Sequence, residues 1–155
     1  MKYSGLAFVG FLTTAFVVGS PGCGRASGTD TGSNQIVGAW FVKEVGAPFP
    51  YHMYVFNADG TMQQANPDAG DAHISDSDGK GVWIVDGQNI RGKWVEVTAD
   101  RVTRQFVGRG ELSYDVVVNG NSFAGTAVFR CYDSNGALMQ GPFNSSLAGE
   151  RVTPP

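Results

Sequence analysis

A chain of 155 residues leaves room, once a leader is set aside, for one domain and no second core. Charged residues make up only 16% of it and the 22 glycines are roughly twice the usual share, a composition of strands and turns, while 42% hydrophobic and 12% aromatic residues argue against disorder. The formal charge of -3 and a pI near 5.2 argue against nucleic-acid binding, which needs clustered Lys and Arg.

Residues 1–22 have the layout of a secretory signal: Lys2 precedes an apolar run from Leu6 to Val18, followed by small residues. That run is shorter than the ~20 residues a membrane-spanning helix needs. Ser20-Pro21-Gly22-Cys23 resembles a bacterial lipoprotein box, with Ser20 in place of the usual aliphatic residue and an unusual Pro21. Two readings follow. Either Cys23 is lipidated and residues 23–35, rich in Gly, Ser and Thr, form a flexible tether, or cleavage is ordinary and the same segment is a free N-terminus. Both place the protein outside the cytoplasm, secreted or in the cell envelope, with membrane contact only through a lipid anchor at Cys23. A Cys23 to Cys131 disulfide is a third arrangement, and it excludes lipidation. The two cysteines lie far from any metal-ligand spacing.

Residues 36–153 read as a single β domain. Asp59-Gly60, Asp86-Gly87, Asn119-Gly120 and Asn135-Gly136 each separate runs rich in Val, Phe, Tyr, Trp and Thr, and such dipeptides supply the positive φ angles of tight hairpins. Period-two alternation then predicts strands near 37–45, 51–57, 60–65, 80–86, 89–98, 101–118, 122–132 and 137–152. Gly108 and Gly110 imply a bend in the sixth, and Pro142 an interruption of the eighth. A helix over Lys93 to Val107 is the competing assignment. The β-branched residues there favour a hairpin turning near Ala99-Asp100. Eight antiparallel strands joined by short turns avoid exposed edges by closing into an up-and-down barrel, with a two-sheet sandwich as the alternative.

Gly38-Ala39-Trp40 opens the first strand and Gly149-Glu150-Arg151 closes the last. This pairing resembles the lipocalins and the wider calycin group, in which a Gly-x-Trp meets a basic side chain from the far end of the chain. The resemblance implies an eight-stranded antiparallel calycin-like barrel whose closure rests on Trp40 and Arg151, through cation–π stacking and hydrogen bonds to carbonyls. A closer likeness is to secreted bacterial lipocalin-like proteins. It runs through Phe49-Pro50, Phe56 to Thr61, Gly81-Val82-Trp83, Asn119 to Gly125 and Asp133 to Gly136, which are turn and packing residues and bring no catalytic residue with them.

No nucleophile elbow, phosphate-binding loop or His-Glu-x-x-His site occurs in the sequence, and it calls for no cofactor or resident metal. Asp68 to Gly79 holds four carboxylates and His73 in twelve residues. It lacks the distal Glu of a calcium loop and reads as a solvated connection. In Tyr51 to Phe56, alternation sets His52, Tyr54 and Phe56 on one face. If that face points inward, His52 and Tyr54 are placed to bind a polar group or move a proton. Farther on, Arg91, Lys93, Arg104, Asp115 and Arg130 alternate with Trp94, Tyr114, Val116, Phe123, Phe129 and Cys131. A one-residue slip in register would exchange these two sets. The candidate ligand-binding residues are therefore His52, Tyr54, Trp83, Trp94, Tyr114, Phe123 and Phe129. The primary reading is a binding protein for a small apolar or amphipathic molecule in the barrel. One alternative is a cavity-type cyclase or isomerase, as in allene oxide cyclases, which would need an inward cluster of His52, Tyr54 and an arginine. The other is a structural or interaction module.

Overall fold

The computed structural model describes residues 35–67 and 71–155, so the leader, Cys23, most of the tether and residues 68–70 lie outside the described part. Nine strands follow in order: β1 (Gly38–Val45), β2 (Tyr51–Phe56), β3 (Thr61–Ala65), β4 (Ile74–Asp76), β5 (Gly79–Asp86), β6 (Asn89–Asp100), β7 (Phe106–Asn119), β8 (Ser122–Asp133) and β9 (Leu138–Arg151). Strands β4 and β5 line up on successive stretches of β6, pairing at Asp76↔Thr98 and Lys80↔Val95, so they act as one interrupted wall. The result is a closed eight-stranded antiparallel barrel with up-and-down order, completed by β1 against β9 and by β6 against β7.

Two details differ from expectation. Strand β6 runs through Asp100, and the turn occupies 101–105, where the Asp100 carboxylate accepts hydrogen bonds from the Val102 and Thr103 amides and Arg104 takes φ 60°. A side chain able to cap the turn thus displaces it past Ala99-Asp100. Ile74–Asp76 forms a short strand inside the acidic connection. Strand β9 continues past Pro142, and its pairing with β8 is interrupted there as expected: Phe129 faces Phe143 and Cys131 faces Gln140, so Gly141 and Pro142 stand opposite Arg130 alone. Residues 93–107 form a β-hairpin, not a helix.

The interior is filled by aromatic rings set over glycines. A β-carbon on Gly92 would lie 2.1 Å from the Tyr114 hydroxyl, and one on Gly149 would lie 2.2 Å from the Phe123 ring. Only glycine admits those rings. Phe56 meets Trp83, Tyr114 and Phe123 edge-on at 6.1–6.5 Å between centroids, a favourable geometry for ring quadrupoles. Trp40, Val42, Tyr54, Phe56, Met62, Leu112 and Val116 are all essentially without solvent contact.

One end of the barrel is sealed by the segment before β1. Trp40 Nε1–H donates to the Ile36 carbonyl at 2.7 Å, and Ile36 is itself fully buried. The Arg151 guanidinium stacks 4.2 Å from the Trp40 ring centroid while donating to the carbonyls of Val37, at 2.7 Å, and Gln35. Gly38 makes this fit: its φ is +130°, and a β-carbon there would lie 2.9 Å from an Arg151 nitrogen. Replacement of Arg151 by Ala should lower unfolding stability by roughly 2 kcal/mol through the lost stacking and packing, with Lys recovering only part because an ammonium cannot stack as a plane. Urea denaturation of the two variants measures both effects.

Candidate functional site

At the other end of the barrel the inward positions change from hydrocarbon to polar groups. Strand β1 carries Trp40 and Val42 inward and then Glu44; β2, running the other way, begins its inward set with His52; β3 ends its own with Gln64. Beyond Trp94, the next inward position of β6 is Glu96, which pairs across the wall with Gly110 of β7, itself paired with Cys131 of β8. Four strands thus direct Glu44, His52, Gln64 and Glu96 into one mouth, floored by Tyr54 and Trp94. None of the inward strand positions there is Lys or Arg.

A chain of hydrogen bonds fixes the histidine. Gln64 Oε1 accepts from the Gly79 amide at 2.9 Å, which turns its NH₂ toward Asn66 Oδ1 at 2.6 Å and His52 Nδ1 at 3.1 Å. Nδ1 therefore accepts, and in the neutral ring the proton resides on Nε2. That Nε2 faces Glu44 Oε2 at 3.6 Å, too far for a hydrogen bond, and has no partner among the described residues. The two side chains are 8% and 7% exposed. Burial lowers the His52 pKa below its ordinary value, outweighing the opposing pull of Glu44 and of the Phe49 carbonyl. With Nδ1 occupied, His52 has no free lone pair to act as a general base. Glu44 is held on its other oxygen by Ser145 Oγ, which donates at 2.7 Å.

Glu96 differs in having no hydrogen bond or ion pair among the described residues. Gly110 leaves the room for it, since a β-carbon there would lie 2.5 Å from Glu96 Oε1 and 2.6 Å from the Phe129 ring. Burial, together with the charges of Asp76 and Glu44, raises the Glu96 pKa to about 7. The Cys131 thiol is pushed up by burial and then by Glu96 and Asp76, so it is a poor nucleophile. Phe129 packs tilted against Trp94 at 6.1 Å between centroids, and its cross-strand partner Phe143 is 52% exposed, giving the polar mouth an apolar rim.

Of the expected ligand-binding residues, His52 lies in the mouth and Tyr54 and Trp94 at its floor, with Trp94 Nε1–H donating to the Tyr54 hydroxyl at 3.2 Å. Phe129 belongs to the rim. Tyr114, Phe123 and Trp83 pack deeper: Tyr114 donates to Met62 Sδ at 2.9 Å, and Trp83 Nε1–H is shared between the carbonyls of Asn57 and Thr61. These hydrogen-bonded rings occupy the middle of the barrel. The arginines do not join His52 and Tyr54. Arg91 pairs outside with Asp86 and Asp115 at 2.6 and 2.7 Å, Lys93 outside with Glu111, Arg104 is exposed, and Arg130 alternates out of phase with the inward Phe129 and Cys131.

In the acidic connection, Asp71 accepts from the amides of His73 and Ile74, and Asp76 from the Thr98 hydroxyl. No group of three or more His, Cys, Asp or Glu is arranged to hold a metal among the described residues; Asp68 lies outside them. A separate open groove of about 690 Å³ lies on the outer wall, with Ala124 and Ala148 at its floor and Phe41, Tyr51 and Val117 at its sides. Phe41 and Tyr51 stack there at 5.2 Å and 9°. Comparison of the chain with family models, curated proteins and solved structures finds no match.

Glu44, Gln64 and Glu96 were missed by sequence reasoning, which followed aromatic content. The available signal was a charged or amide residue at the end of an otherwise apolar alternation.

Unfolded, Glu96 releases its proton near 4.5, and folded near 7. Between those values the folded state holds more protons, so Glu96 makes stability fall as pH rises through that window. Glu96→Gln should therefore be more stable than the parent by roughly 2 kcal/mol near pH 8, with the difference gone below pH 4. Denaturant titrations at the two pH values measure it.

Proposed function

We propose that this protein is an exported binding protein that takes a small amphipathic molecule at the polar mouth of its barrel. The observation that carries the reading is a buried His52 whose Nε2–H has no acceptor among the described residues, at the same end of the barrel as a Glu96 carboxylate that has no partner among them. A barrel kept only for architecture gains nothing from such groups, because an unsatisfied buried donor costs about 1–3 kcal/mol and hydrocarbon of the same shape costs little. Groups left open in a partly enclosed site are the usual mark of a ligand position. The filled middle of the barrel favours binding at the mouth over a ligand sunk along the axis. Phe129 and Phe143 would meet the apolar part of the molecule.

Export rests on the sequence of residues 1–22, with Cys23 as the point of lipid attachment if the box is read by the lipidation machinery. Kinship with the lipocalin-like proteins is supported by the Gly38, Trp40 and Arg151 cluster on a barrel of the matching order. A second reading, an interaction module, is favoured by the outer groove, where Phe41 and Tyr51 are each nearly half exposed beside small residues.

An NMR fragment screen of the protein separates these readings. Amide shifts centred on His52, Gln64, Glu96 and Cys131 are expected. Shifts confined to Phe41, Ala124 and Ala148 would instead assign function to the outer wall.

A further inference from the structure

We propose that the molecule taken at the mouth carries a protonated amine with a hydroxyl or ether oxygen two or three carbons away. This rests on the mouth being the binding site and adds the chemical class of its ligand. Two inward carboxylates, Glu44 and Glu96, stand on β1 and β6, and no inward Lys or Arg at this end neutralises them. Glu44 already accepts from Ser145 on one oxygen, leaving the oxygen that faces His52. Glu96 has both oxygens without a partner among the described residues. An ammonium offers up to three donors to such a pair, and the interaction gains strength in a site screened from water. An anionic ligand would meet repulsion from both.

The oxygen is called for by His52. Its Nδ1 is taken by Gln64, so Nε2 offers a donor, 3.6 Å from Glu44 and without an acceptor among the described residues. An amine alone would satisfy the carboxylates and leave that donor open. A hydroxyl can do both at once, accepting from Nε2–H and donating to Glu44. A bare divalent cation fits less well, because a protonated Nε2 repels it and Nδ1 is engaged. The Phe129 and Phe143 rims then accommodate an apolar or aromatic substituent on the same molecule, with cation–π attraction to the ammonium.

Calorimetric titration of the protein near pH 8 with 2-amino-1-phenylethanol, 2-phenylethylamine, 1-phenylethane-1,2-diol and calcium chloride tests this, with NMR locating each site. The amino alcohol should bind most tightly, and the uncharged diol roughly tenfold or more weaker, the loss expected for one charge-assisted contact. Glu96→Gln should weaken the amino alcohol by a similar factor and leave the diol nearly unchanged. Glu44→Gln serves as the second variant. The His52 Nε2–H resonance should move with the amino alcohol and not with 2-phenylethylamine. If the diol binds at the mouth as tightly as the amino alcohol, or Glu96→Gln leaves the amine affinity intact, the cationic class is wrong while the mouth remains the site. Calcium binding there in preference to the amines would also overturn it. If no probe reaches the mouth, both this inference and the reading beneath it fall.

Discussion

The narrow bore of an eight-stranded ring is the constraint on which this structure depends. Such a barrel has space inside for packed side chains or for one small molecule, and here large rings take that space because the facing strands carry glycine. Gly92 receives Tyr114 and Gly149 receives Phe123 at distances where no β-carbon fits. Each large-over-small pair fills part of the axis without pushing the walls apart, which is how a uniform ring accommodates side chains of very different volume. Two of these rings also find acceptors for their polar atoms, as Tyr114 does at Met62 and Trp83 at the turn carbonyls, so burial leaves few costs behind.

That packing determines where chemistry can occur. One end is closed by Trp40, Ile36 and the Arg151 guanidinium, whose hydrogen bonds tie the first strand's entry to the last strand's exit. The middle is hydrocarbon and hydrogen-bonded rings. Polar groups that face inward are thereby confined to the opposite mouth, where Glu44, His52, Gln64 and Glu96 meet. The wall there is looser as well, since β6 and β7 shift register at Thr98/Ala99 and β8 and β9 shift around Cys131. Bulges that flare one side of a barrel end leave its inner face accessible.

Much of the fold was legible because its signals are local. Asn-Gly and Asp-Gly punctuate the hairpins, and alternation over Tyr51–Phe56 correctly sets His52, Tyr54 and Phe56 on one face. The Gly38, Trp40 and Arg151 pairing was visible through the likeness to the lipocalin group, since nothing local links the two ends of the chain. Less was legible of the site. Whether an inward aromatic lines a cavity or plugs one depends on the residue across the strand, and the register that puts Gly92 beside Tyr114 is a long-range property. The same holds for Glu96, which in sequence is one acid among valines and becomes a half-buried, inward carboxylate only when Gly110 and Cys131 are set beside it. The turn at 101–105 was misplaced because Asp100 caps the turn with its side chain while its backbone remains in the strand.

The mouth is a largely desolvated site with a carboxylate that has no partner among the described residues, and not a wetted barrel rim. Carbon-13 NMR titration of the Glu96 side-chain carboxyl tests this most directly. A midpoint near the raised value of about 7 is predicted. A midpoint near 4.5 would instead place Glu96 in bulk-like water and remove the physical reason for assigning binding to this end.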